Sequence, residues 1–143
     1  MFIKKMMLAT LFMSFIFSTI ACQSEPPPEE RFQLTIEDPQ TVVQAGDTVT
    51  YTARLTNRVN KTYTLSHGDP LISLYIRAIG DDIPQVIYPV LVETQIGPNG
   101  TIDKTLKVEA LESGEYILRA FSSFSVGDEE YQLECGEVSI TVE

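Results

Sequence analysis

The chain has 143 residues, with twenty acidic against ten basic side chains and a formal net charge of −10, a balance that repels nucleic acid and anionic lipid. Its length fits one domain and argues against a second. One histidine and two cysteines are too few nitrogen and sulfur ligands for the usual zinc site.

The N-terminus reads as an export signal. Lys4 and Lys5 precede an apolar run from Met6 to Phe17, which ends on Ser18-Thr19-Ile20-Ala21-Cys22. A charged, then apolar, then small-residue order is that of a secretory signal peptide. All four Met and four of the seven Phe (Phe2, Phe12, Phe15 and Phe17) fall before Cys22, so this segment stands apart from the fold. Ile20-Ala21-Cys22 resembles the lipobox of bacterial lipoproteins, with Thr19 at position −3 where that family usually carries Leu. The resemblance implies cleavage after Ala21, diacylglycerol on the Cys22 thiol, and a product anchored on the extracytoplasmic face of a bacterial membrane. Two acyl chains suffice for stable anchoring where one is marginal. An ordinary cleaved signal and an uncleaved membrane helix are the alternatives, although Met6 to Ala21 is shorter than the about 20 residues a span requires. Losing Lys4 and Lys5 with residues 1–21 takes the net charge from −10 to −12. Residues 22–31 are polar, acidic and Pro-rich and read as an extended tether. Residues 32–143 read as the folded domain.

Within that domain apolar residues recur at every second position, beginning with Phe32-Gln33-Leu34-Thr35-Ile36 and Val49-Thr50-Tyr51-Thr52-Ala53-Arg54-Leu55. Each such run predicts a strand with one buried face. The period continues through Tyr63 and Leu65, through Ile72, Leu74 and Ile76, through Ile102, Leu106 and Val108, and through Val138, Ile140 and Val142, with Lys104 breaking the apolar row. Turn signals divide the runs at Ala45-Gly46-Asp47, Asn57 to Lys61, His67-Gly68-Asp69-Pro70, Gly80-Asp81-Asp82, Gly97-Pro98-Asn99-Gly100, Glu112-Ser113-Gly114 and Val126-Gly127-Asp128. Pro84 and Pro89 restrict residues 83–96 to edge pairing or an irregular crossover.

Two local patterns carry a resemblance. Gly46 to Asn57 is similar to the second strand of bacterial immunoglobulin-like modules. Leu111-Glu112-Ser113-Gly114-Glu115-Tyr116-Ile117-Leu118 is similar to the entry to their sixth strand, with Tyr116 placed for a tyrosine corner. Leu118 stands where antibody domains carry Cys, and the chain has no Trp. The expected fold is all-β, an immunoglobulin-like antiparallel β-sandwich of about 7 to 8 strands. Gly46 through Asn57, Leu65 with Gly68, and Gly114 with Tyr116 also resemble the BsuPI-type proteinase-inhibitor family of bacilli. That resemblance implies inhibition of an extracellular or envelope proteinase. The aromatic-Asp pair that the family tends to carry after its hairpin glycine is replaced here by Asp69-Pro70, and no residue is assigned to a proteinase contact.

A hydroxyl or thiol nucleophile usually needs a base. The one histidine, His67, sits in a predicted hairpin tip whose side chains diverge towards solvent, so no catalytic residue is assigned. With Cys22 lipidated, Cys135 is the remaining thiol. It permits no intramolecular disulfide, has no basic neighbour in Leu133-Glu134-Cys135-Gly136, and reads as a small buried hydrophobe. Asp81-Asp82 and Asp128-Glu129-Glu130 lack the alternating ligand spacing of a calcium loop, so neither a metal nor a cofactor is expected. Gly97 to Gly100 reads as a hairpin, because strand rather than helix follows it. Tyr63, Tyr75, Tyr88, Phe121, Phe124 and Tyr131 either include an exposed aromatic patch or pack in the core. The expected function is a non-catalytic binding or structural module of the cell envelope. It is held to the membrane through Cys22, its ligand is a protein or envelope polymer, and it does not bind nucleic acid.

Overall fold

A computed structural model describes residues 25–83 and 90–143. Cys22, Pro84, Tyr88 and Pro89 lie outside the described residues. One helical turn, α1 (Pro28–Arg31), precedes eight strands among the described residues: β1 (Phe32–Glu37), β2 (Val42–Val43), β3 (Thr48–Asn57), β4 (Tyr63–Ala78), β5 (Leu91–Ile96), β6 (Thr101–Glu109), β7 (Gly114–Val126) and β8 (Glu129–Val142). They form a two-sheet sandwich. One sheet has the order β1-β3-β6 and the other β2-β8-β7-β4-β5. Every pairing is antiparallel except the short parallel contact of β2 with β8.

Alternation along β3 shows how the core forms. Val49, Tyr51, Ala53, Leu55 and Asn57 are all buried, and the residues between them face out. Leu65 of β4, Ile96 of β5, Leu118 of β7 and Ile140 of β8 meet them from the other sheet, each almost completely buried. On the solvent side of the smaller sheet, Arg54 of β3 spans its neighbours. It makes two bonds to Asp103 of β6, at 2.8 and 2.7 Å, and one to Glu37 of β1 at 3.0 Å. These groups are part-exposed, so geometry rather than net Coulomb energy is what they contribute.

Three expectations are corrected by the strand order. The predicted turn at His67 to Pro70 is a bulge inside β4: residues 68–71 intervene between the pairs His67 with Phe124 and Ile72 with Ser122. Gly97 to Gly100 is a tight turn, with Gly100 N donating to Gly97 O at 3.0 Å, but it joins no hairpin. It carries the chain from the edge of the larger sheet, β5, to the edge of the smaller one, β6. A side chain at Gly100 would place its Cβ 2.9 Å from the Gly97 carbonyl oxygen. The third difference is β2, absent from the expected elements. Past Asp38-Pro39 the first strand leaves β3 and crosses to pair with β8. The hydroxyl of buried Tyr51 pins that crossing through a 3.1 Å bond to Gln40 O.

Other turns form as expected. Gly127 and Asp128 join β7 to β8 as a two-residue hairpin turn, with Gly127 at φ 58°, the left-handed conformation such turns require. Leu91–Ile96 is an edge strand, paired among the described residues to β4 alone. The tyrosine corner is present: Tyr116 Oη donates to Glu112 O at 3.0 Å.

Among the described residues, Asn57 is the buried polar side chain with the most hydrogen bonds. Its amide nitrogen donates to Lys61 O and Gly97 O, both at 2.7 Å, and its oxygen accepts from Val59 N at 3.0 Å. Both chain crossings between the sheets at this end, β3 to β4 and β5 to β6, are therefore tied to one side chain. Asn57→Ala leaves two carbonyls and one amide without that partner and is expected to cost about 2–4 kcal/mol. Tyr116→Phe, losing one part-exposed bond, is expected to cost about 1 kcal/mol. Urea denaturation of the two variants checks both magnitudes and their order.

Candidate functional site

The bulge in β4 shapes the outer face of the larger sheet. On that face Ser66 lies between Glu93 of β5 and Ser125 of β7, and Ser125 lies beside Glu130 of β8. In the next row Leu91 of β5 pairs with Gly68, and Ser123 of β7 pairs with Gln132 of β8. Small residues in the middle and longer ones on both flanks leave a trough of about 340 Å³, lined by Ser66, Gly68, Ser123, Ser125, Leu91 and Gln132 among others. From β5 to β8 it is about 14 Å across, three strand spacings. Hydroxyls line the floor, the Glu130 carboxylate stands at the β8 side, and Glu93 lies next to Ser66 on β5. Leu91, 76% exposed, caps one wall.

Two buried side chains hold the bulge. Ser122 Oγ donates to Leu71 O at 2.7 Å. His67 Nδ1 lies 2.6 Å from Gly68 O, and its Nε2 lies 2.8 Å from Thr94 Oγ1. A carbonyl only accepts, so the neutral tautomer that satisfies both contacts carries its proton on Nδ1 and accepts from Thr94. His67 is thus buried beneath β5, not a solvent-facing turn residue as the sequence suggested. It fixes the backbone under the trough.

A second cluster occupies the end where the chain enters the domain. Phe32 meets Tyr63, Phe124 and Tyr131 edge-on at 5.3, 5.1 and 5.0 Å, and Phe124 stacks on Tyr131 at 5.1 Å. Such edge-to-face contacts add about 0.5–1.5 kcal/mol each beyond area burial. Three residues of the proposed aromatic patch are therefore core. Tyr75 and Phe121 are half-buried on the outer face. Above this cluster Arg31 bonds Pro26 O at 2.9 Å, Glu129 at 2.5 Å and Tyr131 Oη at 3.3 Å. Glu25 accepts from the Tyr63 hydroxyl and pairs with Lys61 at 3.4 Å. The Tyr63 hydroxyl bond, helped by Lys61 and Arg31, holds the Glu25 carboxyl below its ordinary value.

Three other sequence candidates, Cys135, Glu129 and Asp81, take structural places. Cys135 is a free, half-buried thiol packed against the core. Glu129 serves Arg31 and Tyr131, and the Asp81 carbonyl accepts from Arg77 at 2.9 Å. Among the described residues no group of three or more His, Cys, Asp or Glu is placed to hold a metal ion. Among them, too, no helix is long and apolar enough to cross a membrane. Sequence reading missed the trough, whose residues are small and polar. Its one local signal was the run Ser122-Ser123-Phe124-Ser125, unusual inside a long strand.

No family model and no curated protein matches the chain. Among solved structures, it is similar to the CARDB domain of PF1109 from Pyrococcus furiosus, with TM-score 0.46, 15% identity, and 78% of this chain and 94% of that one covered. The ASH/PapD-like domain of human CEP192 gives TM-score 0.37 at 13% identity, covering 83% of this chain and 93% of that one. A β-glucosidase from Listeria innocua gives TM-score 0.44 at 8% identity, covering 78% of this chain but 16% of the enzyme. At these identities the likeness concerns fold alone.

Burial, and then the Glu25 carboxylate, push the Tyr63 phenol up to about 12. Burial also raises Tyr51 and Tyr131. A raised phenol stabilises the fold fully below pH about 10 and loses that contribution as pH rises towards 12. Stability is therefore expected to fall between pH about 10 and about 12. Tyr63→Phe should remove on the order of 2 kcal/mol of that loss, read from urea midpoints across the range.

Proposed function

We propose that this protein is a lipid-anchored, extracytoplasmic and non-catalytic binding module of a bacterial cell envelope. The Lys4-Lys5, apolar and Ala21-Cys22 order supports the anchor. The trough on the β5-β4-β7-β8 face carries the binding part. Its hydroxyl floor and the flanking Glu93 and Glu130 carboxylates suit a partner that presents hydrogen-bond donors, amines or hydroxyls, along an extended segment of protein or polymer. Edge strand β5 lies along the same trough and carries no lysine. Edge strand β6, by contrast, places Lys104 in the inward register opposite Ala53, a device that discourages strand addition.

Inhibition of an envelope proteinase is the second reading. It is favoured by the resemblance of Gly46 to Asn57, Leu65 with Gly68, and Gly114 with Tyr116 to the BsuPI-type inhibitors. Stoichiometric inhibition of a serine proteinase by micromolar protein supports it, and none across a panel removes it.

Cys22→Ser is expected to release the protein from the membrane fraction. A processed, membrane-bound product in that variant would sink the anchor. For the trough, a photo-cross-linker at Gln132 in intact cells should capture a partner that is lost with Ser125→Trp. Equal capture from Lys107, on the opposite sheet, would count against the trough.

A further inference from the structure

We propose that Glu25 to Arg31 form a fixed strut that stands the domain on the bilayer holding Cys22. The β3–β4, β5–β6 and β7–β8 connections then face the lipid. This rests on the lipid-anchor reading of Cys22, and its argument is one of chain length and contacts. Residues 22–31 as a slack tether would let Phe32 range about 35 Å from the anchor at full extension. The segment is not slack from Glu25 onward. Glu25 is held by Tyr63, Lys61 and Arg31. Pro26 O is held by Arg31, whose side chain is 13% exposed and also bonded to Glu129 and Tyr131. Pro28–Arg31 form a helical turn, and Arg58 N bonds Arg31 O at 2.8 Å.

Three residue steps separate Cys22 from Glu25, about 11 Å at most. The partners of Glu25 and Arg31 all sit at one end of the sandwich: Lys61 and Tyr63 where β4 begins, Glu129 and Tyr131 where β8 begins. That end is bound to the membrane surface within this reach. The opposite end, with the Ala45–Asp47 and Glu112–Gly114 turns, stands about 30 Å further out, the length of ten-residue β3. Charge does not supply this orientation, since Glu25, Glu29, Glu30, Asp128 and Glu129 share the lower end with Arg31, Arg58 and Lys61. Covalent length and the Arg31 contacts do. The trough, at the start of β4 and β8 and the end of β7, lies in the membrane-proximal half and opens sideways, so the partner it takes is one that reaches the bilayer surface.

The test uses the mature lipoprotein with Cys135→Ser, reconstituted into phosphatidylcholine vesicles containing headgroup-nitroxide lipid. A fluorophore is placed at Asn60→Cys or at Ser113→Cys. Emission at residue 60 should be quenched and emission at residue 113 should not. A Gly-Ser insertion of about twelve residues between Ser24 and Glu25, spanning about 20 Å, leaves every strut contact intact and should abolish the difference. Equal quenching at both ends of the parent protein, or a difference that survives the insertion, overturns the proposal. A separate measurement isolates the strut from the anchor. In soluble Cys22→Ser, Cys135→Ser protein, a nitroxide at Glu29→Cys should be immobilised, and Arg31→Ala should free it. A freely tumbling label without Arg31→Ala overturns the strut. A rigid label in a protein whose parent does not join vesicles overturns the membrane orientation through failure of the anchor.

Discussion

The Asn57 side chain is the constraint on which the arrangement of the two sheets depends. In a β-sandwich, ladders satisfy the backbone within each sheet, and the weak points are where the chain leaves one sheet for the other. Two such crossings meet at Asn57, and its amide closes both with all its donors used. Asn99 N adds a bond to Val59 O at 3.0 Å, turn to turn. An amide suits this place because it offers two donors and an acceptor in one plane. A carboxylate would offer no donor to the carbonyls of Lys61 and Gly97. The same logic recurs at lower cost elsewhere. Tyr51 closes the β1 to β2 crossing, Ser122 and His67 close the β4 bulge, and Tyr116 closes the entry to β7.

Much of this was legible in the sequence, and the misses share a cause. Period-two alternation placed β1, β3, β6 and the second half of β8 because it depends only on which face meets the core. Tyr116 was legible because its bond reaches just four residues back. His67-Gly68-Asp69-Pro70 carries the composition of a turn, yet a bulge accommodates the same residues, glycine for its permissive backbone and proline because the ladder bond is interrupted there. What separates them is whether β7 runs alongside both halves of β4, which no local pattern records. Gly97 to Gly100 is a similar case. The turn was read correctly, while its partners lie some forty residues away in β3. Strand β2 is two residues long and pairs with the far end of the chain, so Val42-Val43 offered no periodicity to detect.

At the N-terminus, composition was a poor guide to its contacts. A Pro-rich acidic run commonly stays extended and solvated, and Glu25 to Glu30 reads that way. Arg31 changes the balance. It sits one residue before Phe32, whose ring is seized by three aromatic neighbours, so its guanidinium is delivered to Glu129 and Tyr131 with little further loss of chain freedom. Once placed, it also holds Pro26 O. Ordering passes outward from the core through adjacent contacts, which is why a segment without apolar residues of its own is nevertheless held.

The trough follows from the bulge together with a choice of small side chains. Extra residues in β4 displace its backbone opposite Ser123. The outer-face positions around that displacement are Ser66, Gly68, Ser123 and Ser125, whereas further along the same face stand Tyr75, Arg119 and Phe121. Serine and glycine are poor strand formers compared with threonine, valine or tyrosine, so the central strands of the larger sheet forgo local stability at this one patch. Threonine or valine at the exposed positions would suit the strands better and partly fill the trough. His67 and Ser122 are then spent beneath it to satisfy carbonyls that a regular ladder would have satisfied without them. A surface serving only to wrap a core would need neither the irregular backbone nor the buried polar groups that support it. The coincidence of the two at one place, beside the edge strand β5, is the physical reason the proposed binding falls there rather than on the regular outer face of the smaller sheet. On that face Glu37, Arg54 and Asp103 already satisfy one another.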